Sequence, residues 1–223
     1  RLDQLVRAQR AFVADASHQL RTPLTALRLR LENLQSRVDG PSSAEVEAAI
    51  DETDRLSALV SDLLQLVRSD EPRAVEPTDL AQLARERVDT WSAVYDARDV
   101  ALQVVGVDGP LIVEAVPGAV EQILDNLIDN ALAASPPGGE VSVEVAADGA
   151  VGTLRVSDEG PGLSDDEKAT ATQRFWRGRT TEPGTGLGLA IVDSLVTVSG
   201  GRLDLGDAPG GGLEVRVALR RTT

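Results

Sequence analysis

Apolar residues recur every three or four positions through the first third of the chain, then in short alternating runs broken by further helical stretches. Leu20, Leu24, Leu27, Leu31, Leu34 and Val38 are spaced four, three, four, three, four, which is the seam of a coiled coil or helical bundle. Upstream, Leu2, Leu5, Gln9, Phe12 and Ala16 keep that spacing, with one offset before Leu20 that reads as a stutter. Pro23 lies inside this helix and should bend it, because it removes a backbone donor and crowds the preceding turn. Asp39-Gly40-Pro41-Ser42-Ser43 reads as a turn, with Gly40 stopping one helix and Ser43 capping the next. The second helix is expected from about Ala44 to Val67, where Val46, Ala49, Thr53, Leu56, Val60, Leu63 and Val67 repeat the seam. Two long helices with one apolar stripe each make an antiparallel hairpin that should pair with a second copy into a four-helix bundle.

Residues 70–78 are charged and contain two prolines, and read as a linker between a domain at 1–69 and another at 79–223. Helices are expected at Asp79 to about Asp96, Val116–Ala134 and about Leu187–Val198. Strands are expected at Val100–Val105, Leu111–Glu114, Val141–Val145, Thr153–Ser157, Arg202–Leu205 and Leu213–Leu219. Helices covering one face of a mixed sheet make an α+β sandwich.

Composition narrows the possibilities. The 223 residues carry a formal net charge of −14, which argues against sequence-independent nucleic-acid binding, since that needs clustered Lys and Arg. With no cysteine there is neither a disulfide framework nor a thiolate metal site. Methionine is absent even at position 1, and the chain is expected to be part of a longer protein. No apolar run is long enough to cross a bilayer.

Four stretches carry chemistry. The only histidine, His18, lies roughly 200° from the seam positions Ala16 and Leu20 on a helical projection. It therefore points to solvent, with Thr22 one turn along the same face and Gln19 beside it. A surface histidine alone is usually inert, yet a neutral imidazole is a competent nucleophile. Asn126 and Asn130 share one face of an otherwise apolar helix. Such amides are either a buried structural pair or a ligand site, in which the oxygen ligates Mg²⁺ and the nitrogen donates to phosphate. Asp158-Glu159-Gly160-Pro161-Gly162 follows a strand. Taken alone it is a turn, but its glycines permit close approach and its carboxylate can accept from an exocyclic amine. Gly184-Thr185-Gly186-Leu187-Gly188-Leu189 opens a helix, where backbone donors suit phosphate. Between the last two lies Leu163–Pro183, with Arg174-Phe175-Trp176-Arg177, a connection long enough to be a lid.

In this order the motifs resemble those of a sensor histidine kinase of two-component signalling, over nearly the whole chain. The resemblance implies a dimerisation and histidine-phosphotransfer hairpin followed by a Bergerat-type ATP-binding domain. It makes His18 the phosphoacceptor, Asn130 the Mg²⁺ ligand, and Asn126 a residue close to the phosphates of ATP. Asp158 becomes the adenine-binding carboxylate, with Gly160 and Gly162 as the wall of the base pocket. Arg174 and Arg177 become lid residues approaching the γ-phosphate. Gly184, Gly186 and Gly188 support the lid hinge and the phosphate end of the site, and Thr185 is a further nucleotide-binding residue. Thr22 matches the position that orients water when such proteins dephosphorylate their partner. The implied partners are a second copy of the chain and the receiver domain of a response regulator. The implied location is the cytoplasmic side of a plasma-membrane sensor whose spanning segments lie outside this chain.

Two positions depart from the family pattern. Gln19 stands where a carboxylate usually follows the histidine, and Ala133-Ala134 stand where a lysine and a large residue are common. They keep open a kinase-impaired, phosphatase-biased dimeric regulator. A non-kinase ATPase of the same fold is the other alternative. Such ATPases resemble the second half only and carry a glutamate where Asn126 stands, so no base here is poised to hydrolyse ATP. A glutamine oxygen accepts the ring N–H but adds no negative charge against the growing imidazolium. The comparable Asp-to-Asn change in a serine protease costs about 10⁴ in rate, an upper bound here because this histidine is itself the nucleophile. Gln19→Glu is expected to raise the initial rate of phosphohistidine formation, measured with labelled ATP; an unchanged rate would remove Gln19 from the account.

Overall fold

The computed structural model describes residues 23–35, 42–50, 52–53, 56–57, 60, 74–106, 109–178 and 185–222. In the first third, residues 23–35 are helical, as are 42–50, 52–53, 56–57 and 60. The second helix already includes Ser42, one residue before the expected cap. Seam positions Leu27 and Leu34 are 45% and 46% exposed, whereas Val46 and Thr53 are buried. Thr53 satisfies its hydroxyl within its own helix, donating to the Ala49 carbonyl at 2.8 Å, so a polar residue sits on the seam without an orphaned donor.

The remainder runs β1 (Glu76–Asp79), α1 (Leu80–Ala97), β2 (Ala101–Gly106), β3 (Ile112–Ala115), α2 (Ala119–Ala134), β4 (Glu140–Asp148), β5 (Val151–Ser157), α3 (Asp165–Lys168), α4 (Gly188–Val198), β6 (Arg202–Asp207) and β7 (Leu213–Arg220). Five strands form a mixed sheet in the order β2-β4-β5-β7-β6, parallel only between β2 and β4. β1 and β3 form a separate antiparallel pair. Helices α1, α2 and α4 pack on one face of the large sheet, and the apolar core lies between. The expected α+β sandwich is what the chain forms.

Strand alternation explains the layering. Along β4, Val141, Val143 and Val145 face the helices, and along β7 Val215, Val217 and Leu219 do the same. Helix α2 contributes Ile123, Leu124, Leu127 and Ile128, all essentially inaccessible. It begins at Ala119, later than Val116, because Gly118 adopts a left-handed conformation just before it. It ends where Ser135 turns extended, the conformation that a following proline imposes.

Two elements went unanticipated. β1 occupies the end of the stretch read as linker, because its pairing partner β3 lies more than thirty residues on and leaves no local trace. Pro77 is tolerated in it because the pair is small and edge-like. The short helix α3 lies inside the stretch read as a lid.

Side-chain hydrogen bonds fix α1 in place. The Tyr95 hydroxyl, fully buried, donates to the Ile128 carbonyl at 2.7 Å, and burial pushes its phenol pKa up. The Trp91 indole N–H donates to Asp125 at 3.0 Å. Asp79 Oδ1 accepts from three backbone groups, Ala81 N–H and Gln82 N–H at the start of α1 and Leu111 N–H before β3, at 3.1, 3.2 and 3.1 Å. Removing that carboxylate leaves a helix start uncapped and a third donor unmet. Asp79→Ala is expected to lower the unfolding free energy of residues 74–222 by about 2 kcal/mol, read from urea unfolding, with Asp79→Asn losing much less.

Candidate functional site

A largely apolar cleft opens between α2, the end of β5, the loop after it, α4 and β7. Leu127, Val156, Leu163, Leu189 and Leu213 form its sides, and its polar groups are Asp158 and Asn130. The sequence placed these two asparagine and aspartate motifs thirty residues apart; the fold sets them at one cavity.

Asp158 is 6% exposed. Its Oδ1 accepts from Gly160 N–H at 2.8 Å and from Leu213 N–H at 3.2 Å. Its own N–H donates to the Leu213 carbonyl at 3.1 Å. Burial pushes the carboxyl above its ordinary range, and the two backbone donors oppose that shift. Oδ2 accepts no hydrogen bond from the described residues, so it is the oxygen left for a ligand's donor. The seat has no spare room: Gly212 lies so close that any side chain there would overlap the Asp158 carbonyl. Gly160 lies against the Ala134 carbonyl at the end of α2, and Gly162 against Gly212.

The asparagines differ from each other. Asn126 is half-buried and its Nδ2 donates to the Gln122 carbonyl at 2.8 Å, which leaves Oδ1 outward. Asn130 is exposed and hydrogen-bonds to no described residue. This is not a buried structural pair. Gly188, the first residue of α4, packs directly on both: a Cβ there would meet Asn130 Nδ2 at 2.9 Å, its Oδ1 at 3.1 Å and Asn126 Oδ1 at 3.4 Å. Helix α4 has no side-chain cap, so the N–H groups of its first turn are available to an anion. Among the described residues, no three histidine, cysteine or carboxylate side chains gather as a metal cluster. The neutral Asn130 amide suits a cation that arrives with anionic ligands of its own, as Mg²⁺ does on a phosphate chain.

Thr185 Oγ1 accepts from Leu187 N–H at 3.3 Å, forming a small turn ahead of α4. Gly186 lies beneath the backbone of Phe175 and Trp176, so the residue just past the lid stretch packs on its Arg174–Arg177 segment. Arg174 and Arg177 are exposed and are not among the residues lining the cleft. Ala134 lines it and Ala133 is exposed. His18, Gln19, Thr22 and Gly184 lie outside the described residues. Gly212 and Leu213 were missed from sequence; the signal was Gly210-Gly211-Gly212 ahead of an alternating strand.

Two family models match the chain: the His Kinase A (phospho-acceptor) domain over residues 8–72 and the histidine kinase-, DNA gyrase B-, and HSP90-like ATPase over 115–223. The signal transduction histidine-protein kinase/phosphatase MprB of Mycobacterium ulcerans (strain Agy99) is 37% identical over 221 residues, 92% of this chain and 42% of its own length. The chain thus spans under half the length of the curated relatives it matches. A structure of the mycobacterial sensor histidine kinase MprB is 31% identical with a TM-score of 0.56, over 66% of this chain and 97% of that one. Full-length ShkA in complex with AMPPNP is 27% identical with a TM-score of 0.76, over 96% of this chain and 46% of that one.

The Asp158 shift makes stability depend on pH. A carboxyl whose folded pKa is raised binds its proton more tightly in the folded state. Its stabilising contribution is fully present below the ordinary carboxylate range and is lost as pH rises through the raised value. Asp158→Asn keeps an oxygen acceptor for Gly160 and Leu213 but cannot ionise. The urea midpoint of the parent is therefore expected to fall relative to that of Asp158→Asn as pH rises through that interval; parallel midpoints would contradict the shift.

Proposed function

The chain belongs to the sensor histidine kinases, and on that premise we propose that it is an autophosphorylating core in which His18 takes the γ-phosphoryl group of Mg-ATP and passes it to an aspartate on a response-regulator receiver domain. One observation carries the nucleotide half of this reading. A buried carboxylate with one unengaged oxygen and an unpartnered amide beside an uncapped helix start share one apolar cleft. That is a site with a donor-seeking end and a phosphate-seeking end joined by an apolar middle.

In this reading Asp158 Oδ2 accepts from the exocyclic amine of adenine, and Leu127, Leu163 and Leu213 enclose the base. Asn130 holds Mg²⁺, Asn126 lies close to the phosphates, and the first turn of α4 donates to them. Gly160 and Gly162 wall the base pocket, and Thr185, Gly186 and Gly188 form the hinge that lets the lid close. Mg²⁺, when bound, neutralises charge on the phosphate oxygens. Arg174 and Arg177 reach the γ-phosphate only once the lid moves, in keeping with their exposure outside the cleft. A nitrogen of the His18 imidazole then forms a bond to the γ-phosphorus as the bond to the ADP oxygen breaks, and ADP leaves with the electron pair. The ATPase alternative lacks support, because Asn126 replaces the base it needs. Residues 1–69 serve as the dimerising phosphotransfer hairpin, 70–78 as the connection and 79–223 as the catalytic domain, with β1 folded into the latter. Exposed Leu27 and Leu34 favour a homodimer with a second hairpin. No helix among the described residues is long and apolar enough to cross a membrane. From its likeness to under half the length of sensor kinases, we assign the chain to the cytoplasmic portion of such a sensor.

A second reading rests on Gln19: a core weak in the forward step that mainly removes phosphate from its partner, using water oriented by Thr22. Labelled ATP with Mg²⁺ separates the two. Acid-labile label that disappears in His18→Ala is expected. Absence of label in the parent, with faster decay of phosphorylated receiver domain on adding it, supports the second reading instead.

A further inference from the structure

Lys168 is the only lysine among 22 basic residues. Its side chain is 13% exposed, and its ammonium lies 2.5 Å from Asp207 Oδ1 and 3.4 Å from Asp165 Oδ1. The hydrogen bond to Asp207 comes first among the causes that hold this ammonium above its ordinary range, so it stays charged. The two segments it joins are otherwise far apart in sequence, and each leads directly to a wall of the cleft.

On one side, Lys168 closes α3, a single turn fixed by a reciprocal cap. Ser164 N–H and Oγ both donate to Glu167 Oε2, at 2.8 and 2.7 Å, and Glu167 N–H returns to Ser164 Oγ at 3.4 Å. The residue before that cap is Leu163, which lines the cleft. On the other side, Asp207 ends β6 and pairs across the hairpin with Leu213. Leu213 lines the opposite wall and donates to the Asp158 carboxyl. The ion pair therefore closes a ring that runs from Leu163 through α3, Lys168, Asp207 and the β6–β7 hairpin to Leu213.

We propose that Lys168 is a positioning residue for the nucleotide: by tying α3 to the end of β6 it holds Leu163 and Leu213 at the spacing the base requires before any ligand arrives. This rests on the nucleotide reading of the cleft. Without the tether the root of the lid swings away from the hairpin, the binding-competent fraction falls, and the apparent dissociation constant rises in proportion. Because Asp207 and Asp165 are 74% and 100% exposed, the effect is that of a solvent-screened pair, about two- to fivefold. Lys168 touches no reacting atom, so the labelling rate at saturating ATP stays as it was.

The test is calorimetric binding of Mg-ADP to the full chain, to Lys168→Ala, to Asp207→Ala and to the double variant, with His18 labelling at limiting and saturating ATP. Each single variant is expected to bind about two- to fivefold more weakly. The double variant should be no weaker than the worse single one, since both remove the same contact. The limiting-ATP rate falls and the saturated rate does not. Unchanged affinity in either single variant overturns the inference, as do additive losses in the double. Failure of the parent chain to bind Mg-ADP overturns the nucleotide reading itself and the inference with it.

Discussion

One carboxyl oxygen, Asp158 Oδ1, holds the end of β5, the glycine loop after it and the start of β7 together by accepting from Gly160 and Leu213. Everything at the site depends on that seat. Taking a carboxylate out of water is costly, and two backbone donors offset only part of the cost. Asp158 lines the cleft, and its second oxygen accepts from no described residue. Close packing enforces the arrangement. Gly212 and Gly160 bring backbone to within contact of Asp158 and Ala134, so the closed end of the cleft has almost no freedom to widen.

The open end is built on different physics. Asn126 and Asn130 are neutral, and they stand at the start of a helix whose first amides have no side-chain cap. In a chain of net charge −14, a phosphate chain meets repulsion almost everywhere. In the proposed reading, amide groups and helix N–H groups would meet polyanion and cation together without adding another carboxylate. Gly188 leaves room for both asparagines, since a Cβ there would meet the Asn130 amide at 2.9 Å and displace it.

Long-range tethers hold these parts together. Tyr95 and Trp91 clamp α1 onto α2, Asp79 ties the first helix to β3, and Lys168 ties the lid's root to β6. The first two secure the back of the α2 helix whose front carries the asparagines. The last joins α3 to the end of β6, the two segments that lead to Leu163 and Leu213 on the cleft.

The periodic pattern alone determined the helical hairpin's seam, the alternating strands, the three long helices and the α+β class, because those signals are local and repeat every two or three to four residues. Motif order also singled out Asn126, Asn130, Asp158 and Gly188 as chemistry. What the pattern could not supply was anything requiring a distant partner. β1 exists only because β3 offers it an edge, and α3 is a single turn too short to show periodicity. Gly212 and Leu213 join the site only because β7 lies beside β5. Lys168 meets Asp207 only because the fold sets α3 against the end of β6. Sequence settles which faces are apolar and which residues can do chemistry; three-dimensional packing decides which of those residues meet, because contact energies act through space and not along the chain.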